Sequence, residues 1–275
     1  MNLNKSLSPV HYDLHIHPDL SGKTRNFSGE ETILLKVKEP VSGLKLHVKK
    51  IKITEVNVND QPVDDNKIIY DDANEYLSIP FPEGVQEDNV TVTFKFSGVL
   101  GDVAGMHTAT YKDKTGMDAL MLTTQFEPAH AREAFPCVDE PAAKATFTVS
   151  LTVPKHHEAV SNMPITKEED VDEGKKKVIF DKSPIMSTYL LYLGSGEFER
   201  VEDKTGNVHI SVLTTPGKIS QADLALDATK KFLKFYEDYF GIPFPLPKLD
   251  MIAIPDFAAG AMENWGAITF RQNAL

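Results

Sequence analysis

One cysteine, Cys137, stands among 275 residues, so no internal disulfide framework is possible and a reducing compartment is compatible with the composition. Basic residues are in deficit as well: 29 Lys and Arg face 40 Asp and Glu, for a net charge of −11. Without a basic excess to neutralise phosphates, the chain is not suited to nucleic acid or to an anionic membrane surface. Nowhere do about 18 apolar residues follow one another, as a membrane-spanning helix requires. The opening stretch Met1 to Pro9 carries no apolar run of signal-peptide length. These absences set the expectation of a soluble, cytoplasmic protein without a membrane partner.

What is present is alternation. Phe27, Gly29, Glu31, Ile33, Leu35 and Val37 share one parity, as do Leu44, Leu46 and Val48. So do Val90, Val92, Phe94 and Phe96, and then Ala145, Phe147, Val149, Leu151 and Val153. Period-two patterning bounded by Gly, Pro, Asn and Asp reads as short strands with one buried face. Apolar parity flips between Ile53 and Val56, which predicts a bulge or break near Glu55. Many strands without intervening helices predict a mainly β fold, an antiparallel sandwich or saddle-shaped sheet pair over residues 1–202.

Beyond residue 202 the pattern changes. Val208, Ile210 and Val212 predict a strand, and Ser220 to Asp223 reads as a capping box opening a helix. Leu224, Ala225, Ala228, Phe232, Phe235, Tyr236 and Tyr239 recur at helical spacing, with Gly241 and Pro243 as stop signals. Leu249 to Ile254 and Ala267 to Phe270 predict further strands. Residues 203–275 therefore open a second, α+β domain. The runs Glu168-Glu169-Asp170 and Lys175-Lys176-Lys177 read as solvated loops.

Two segments carry chemistry. One runs Gln125-Phe126-Glu127-Pro128-Ala129-His130-Ala131-Arg132-Glu133-Ala134-Phe135-Pro136-Cys137-Val138-Asp139-Glu140-Pro141, and the other is Gly260-Ala261-Met262-Glu263-Asn264-Trp265-Gly266. A free α-ammonium entering a closed cleft loses hydration and needs a carboxylate and further acceptors at close range. Glu263 and Glu127 can supply charge, and Gln125 an acceptor oxygen. Gly260 and Ala261 carry almost no side chain, which allows a peptide backbone to approach an open strand edge. Arg132, Asp139 and Glu140 read as structural ion pairs, and Cys137 as a small buried hydrophobe.

Together the two segments resemble the aminopeptidase N family of zinc metallopeptidases, with a Gly-Ala-Met-Glu-Asn exopeptidase motif and a Phe-Pro-Cys-x-Asp-Glu-Pro signature. Met186 to Leu190 and Asn264 to Arg271 are similar to puromycin-sensitive and archaeal tricorn-associated members. The resemblance implies that Glu263 binds the substrate's amino end, that Gln125 and Glu127 line the first specificity pocket, and that Met262 touches the first substrate side chain. It also includes Gly260, Ala261 and Asn264 in the binding segment and implies a thermolysin-like second domain. His130 departs from the family, in which Asp is frequent at that position.

The family's catalysis rests on His-Glu-x-x-His on a helix, where two histidines bind zinc and the Glu activates water. None of the nine histidines begins that pattern. His11 and His15 are four apart, but Tyr12, Leu14 and Ile16 alternate as in a strand, so the two read as strand surface positions. The resemblance places the zinc helix after the exopeptidase motif, and the sequence reaches only Leu275. Three expectations follow. The chain is the amino-terminal portion of an aminopeptidase whose zinc lies in a missing carboxy-terminal catalytic portion. By itself it holds no metal and is inactive. Its partners are peptides with a free amino end, and the catalytic portion acts in cis or in trans. The alternative is a stand-alone module that binds peptide amino ends or regulates a separate catalytic subunit.

Overall fold

A computed structural model describes residues 6–81 and 89–274; the opening five residues and Leu275 lie outside the described residues. Alternation becomes strand at each expected place: Asn26–Val37, Gly43–His47, Asn89–Val99 and Thr146–Pro154. Among the described residues the strands form four sheets. The largest has eight strands, in the order Ile165–Asp170, Lys175–Phe180, Thr146–Pro154, Leu7–Pro18, Asn26–Val37, Asn89–Val99, Ile51–Val58 and Gln61–Pro62. Its only parallel pair joins Leu7–Pro18 to Thr146–Pro154; the other neighbours are antiparallel. The predicted irregularity near Glu55 is a register shift between Ile53 and Glu55 against Asn89–Val99. His11 and His15 sit half-buried on the strand Leu7–Pro18, bonded to Thr146 and Thr152 hydroxyls.

A four-stranded sheet (Glu158–Ser161, Leu193–Gly196, Asp118–Gln125, Gly105–Lys112) and a three-stranded one (Gly43–His47, Tyr76–Pro80, Ile69–Asp71) cover this layer. Tyr12, fully buried, ties the layers together. Its ring stacks on Phe147 at 4.9 Å and meets Phe135 edge-on at 6.2 Å, and its hydroxyl accepts from the Val138 N–H at 3.2 Å.

A mixed five-stranded sheet follows: Glu199–Thr205, Val208–Thr214, Lys248–Ile254, Ala267–Arg271 and, at the edge, Ala261–Met262. Its first strand runs across residue 202. Its inward residues Leu213, Ile252, Ile254, Phe257, Met262 and Ala267 belong to the same core cluster as Tyr12 and Phe147. A smaller cluster of Val208, Ile210, Leu233 and Leu249 lies under the helix Ala222–Phe240.

Two expectations need correction. Ser220 does not cap the helix: it lies within a 3₁₀ turn, Ile219–Gln221, that runs straight into Ala222–Phe240 with no side-chain cap. That turn already carries helical backbone at the cap position Gln221, with φ −91 and ψ −8, so no extended residue is left to act as cap. The helix does end where expected, at Gly241 with φ 66. The charged runs at residues 168–170 and 175–177 are not loops but the two strands of an edge hairpin, pairing Glu169 with Lys177 and Asp170 with Lys176. Opposite charges across an exposed hairpin stabilise it while blunting a sheet edge. The helix's aromatic stripe faces outward. Phe232, Phe235, Tyr236, Tyr239 and Phe240 are all more than half exposed, and the buried positions are Ala222, Thr229 and Leu233.

Glu31 occupies an inward position on Asn26–Val37, 2% exposed, and neither carboxyl oxygen has a hydrogen-bond partner among the described residues. Burial pushes its pKa well above the ordinary 4.5. A raised folded pKa gives a contribution that is fully present below 4.5 and is lost as pH rises towards the folded value. Replacing Glu31 with the similarly shaped Met is therefore expected to stabilise the chain at pH 7 by about 1–3 kcal/mol, the penalty of a buried unsatisfied polar group. The gain should shrink as the pH is lowered towards 4.5. Chemical denaturation of both proteins between pH 5 and pH 8 checks this; a pH-independent difference would contradict it.

Candidate functional site

The first segment begins where the strand Asp118–Gln125 ends. Phe126 turns fully inward against Phe135 at 6.1 Å, which leaves Glu127 on the surface ahead of a cis peptide to Pro128. The loop beyond is fixed by charge. Arg132 donates from Nε to Asp139 at 3.0 Å and from Nη1 to Glu75 at 3.1 Å, and Lys49 bonds Glu75 at 2.8 Å. Asp139 is 5% exposed; burial raises its pKa, and Arg132 opposes that shift. The Asp139 N–H donates to Nδ1 of His47 at 3.1 Å, so that nitrogen carries no proton. Burial, aided by Arg132, pulls the His47 pKa down to about 4 and keeps the ring a neutral acceptor. His130 bonds Glu133 at 3.0 Å. Cys137 is buried, and burial raises its thiol pKa well above the ordinary range, so it is not an activated thiolate.

The second segment is the edge strand Ala261–Met262, antiparallel to Ala267–Arg271, with Ala261 opposite Phe270 and Met262 opposite Thr269. Its other edge pairs with no strand among the described residues. Arg271 secures the approach to it: its N–H donates to the Gly260 carbonyl at 2.9 Å, Nε to Phe257 at 2.8 Å and Nη2 to Ala258 at 2.6 Å. Gly260 and Ala261 are exposed, and a Cβ on Gly260 would meet nothing within 4 Å. The chain itself therefore leaves room beside this backbone.

The two segments meet at one contact, Gln125 Nε2 to Met262 Sδ at 3.4 Å. Gln125 Oε1 is buried and unpartnered, an acceptor held ready near the strand. Glu127 and Glu263 are exposed, and among the described residues neither carboxylate has an ion-pair partner. Met262 and Asn264 are each 1% exposed. Both side-chain atoms of Asn264 are buried without partners, while its carbonyl accepts from the Ala267 N–H at 3.1 Å and closes the turn after the strand. Gln125 and Met262 are thus brought together, Glu127 and Glu263 stand free at the surface, and Asn264 lies beneath.

Pattern reading misses three residues of this region, Asn162, Lys248 and Arg271. Asn162 stands in a turn-like stretch and gives no signal. Lys248 could have been suspected, because Asp250 interrupts an otherwise apolar strand and a buried acid requires a partner. Among the described residues no group of three or more His, Cys, Asp or Glu side chains could hold a metal ion. The described residues therefore offer no donor set that fits zinc.

Residues 8–190 match the Peptidase M1 N-terminal domain and residues 224–275 the Peptidase family M1 domain, and the chain belongs to this family. It is 42% identical to puromycin-sensitive aminopeptidase of Caenorhabditis elegans, over 97% of this chain and 29% of that protein. It is 40% identical to human endoplasmic reticulum aminopeptidase 1, over 100% of this chain and 30% of that protein. It is 47% identical to probable aminopeptidase 2 of Sulfurisphaera tokodaii, over 77% of this chain and 28% of that protein. The chain thus spans less than a third of the length of these relatives. No helix among the described residues is long and apolar enough to cross a membrane.

Proposed function

We propose that this chain supplies the amino-end recognition part of a zinc aminopeptidase acting on peptides with a free amino terminus. The observation that carries the reading is the open edge of Ala261–Met262, followed directly by the exposed Glu263 and touching Gln125 through Met262. The peptide backbone pairs with the edge at Gly260 and Ala261, which leave it space. Glu263 takes the α-ammonium with Glu127 adding negative charge, and the free Oε1 of Gln125 is the neutral acceptor. Met262 floors the pocket of the first side chain, and Asn264 holds the turn from below. A blocked amino end would leave the acids unpaired, which favours free termini.

Zinc, the family's catalytic metal, would activate the attacking water and belongs to the part of the relatives' length that this chain does not span. Taken alone, residues 1–275 bind and do not hydrolyse. Residues 1–202 are the β domain and 203–275 the first lobe of the peptidase domain, working with the catalytic portion in cis. A cytosolic setting agrees with the single, buried cysteine.

Substituting Glu263→Gln is expected to weaken binding of an unblocked peptide by about 1.5–3 kcal/mol, roughly 10- to 150-fold, while leaving its N-acetylated counterpart unaffected. Wild-type affinity should also fall above about pH 8, where the peptide's α-amino group loses its proton. Calorimetric titration of both peptides checks this. Equal affinity of the wild type for the two would overturn the reading.

A further inference from the structure

The turn that follows the exopeptidase strand is held from two sides by side chains to which no role is assigned. Asn162, 2% exposed and placed just beyond the strand Glu158–Ser161, donates from Nδ2 to the Trp265 carbonyl at 2.8 Å. The same amide donates to the Leu190 carbonyl at 2.7 Å and accepts from the Tyr192 N–H at 2.9 Å, so it is anchored in the first domain before it reaches the turn. Lys248, on a strand of the second sheet, donates to the Gly266 carbonyl at 2.7 Å and pairs with Asp250, also at 2.7 Å. Asp250 lies 3.6 Å from Arg200, which in turn pairs with Glu158 back on the first domain. The Asp250 N–H donates to Gly266 as well, at 3.0 Å.

Both domains thus converge on two consecutive carbonyls, Trp265 and Gly266, immediately after Glu263 and Asn264. Such an arrangement suits a site that must be held within about half an ångström to be productive. A lone ammonium would be costly at Lys248, where burial lowers the pKa and Asp250 opposes the shift; with the carboxylate and two carbonyls in reach it is accommodated.

We propose that Asn162 and Lys248 are positioning residues for amino-end recognition. By fixing the Trp265–Gly266 turn from opposite domains, they set where Glu263 stands relative to the strand Ala261–Met262. The inference rests on Glu263 as the amine's partner and adds what aims it.

The test uses the full-length polypeptide, stripped of zinc by a chelator so that it binds without cleaving, and a tetra-alanine amide, unblocked or N-acetylated, titrated by calorimetry. Wild type, Glu263→Gln, Asn162→Ala and Lys248→Met are compared, with thermal melting of each. Wild type should prefer the unblocked peptide by about tenfold or more, and Glu263→Gln should abolish the preference. Asn162→Ala and Lys248→Met should each reduce it at least about fivefold without weakening the acetylated peptide, an effect that a purely structural role would not produce. In Lys248→Met, Arg200 remains 3.6 Å from Asp250 to balance its charge, which favours folding of that protein.

If wild type shows no preference, the reading of Glu263 fails first. If wild type discriminates and Glu263→Gln does not, but both variants keep full preference, the positioning role alone is overturned. Hydrogen exchange of the wild type decides should neither variant fold. The Ala267 and Tyr192 amides should open together, because Asn162 links their segments. Exchange at Ala267 about a hundredfold faster would mean that the turn moves independently of the clamp, and the proposal would fall.

Discussion

Arg132→Ala lowers stability at pH 7 by about 3–5 kcal/mol, the expected cost of removing one partner from a buried ion pair. The Arg132 side chain is 12% exposed and that of Asp139 only 2%, so water cannot replace the lost guanidinium. Glu75 is affected less, because Lys49 remains 2.8 Å away. The stranded acid gives the effect a pH signature. Burial already raises the Asp139 pKa above the ordinary 3.8, and loss of Arg132 raises it further. A raised folded pKa means stability that is fully present below 3.8 and lost as pH rises, so the deficit of the variant should narrow as pH falls from 7 towards 5. Adding Asp139→Asn should restore about 1–3 kcal/mol of the loss at pH 7. Urea titrations of the single and double variants decide the matter; additive losses would mean that the pair is not coupled.

Gly266→Ala should cost about 2–5 kcal/mol. Gly266 has φ 70, a left-handed conformation costing an L residue roughly 1–2 kcal/mol. Its Cβ would also overlap the carbonyl oxygen of Asn162 and press on Leu246, adding about 1–3 kcal/mol of overpacking. The Leu246 contact can give by a small side-chain shift, but the Asn162 overlap cannot, because that obstacle is backbone. Gly217→Ala is the control: it shares a positive φ of 80 but meets nothing within 4 Å, so only the conformational term should appear. Equal losses at the two positions would show that the inter-domain contact yields easily.

Much of this was legible in the chain. Alternation located the long strands because each has one buried face, and even the slip beside Glu55 announced itself through a change of parity. The charged hairpin escaped because Ile165–Asp170 has no buried residue at all, so nothing distinguishes its pattern from a loop. The helix was found by its period, but a period says that a stripe exists and not what lies opposite it; Phe235 and Tyr239 face outward while Thr229 and Leu233 face the sheet. At the candidate site, the residues proposed to face a ligand come from local motifs. Asn162 and Lys248 were not, because their roles exist only where Leu190, Tyr192, Asp250 and Gly266 have been gathered from distant parts of the sequence.

The shared core of the two sheets bears on how such a protein can be re-engineered or diversified. Ile252, Phe257 and Met262 are packed into the same apolar interior as Tyr12 and Phe147. The edge strand Ala261–Met262 is therefore not a cassette. Grafting residues 203–275 onto a foreign scaffold would strip the apolar backing from that strand, and cutting near residue 202 would sever Glu199–Thr205 from within. The edge strand comes only together with the large sheet behind it, so substitutions should be tolerated in the exposed side chains of the rim while the interior stays in place.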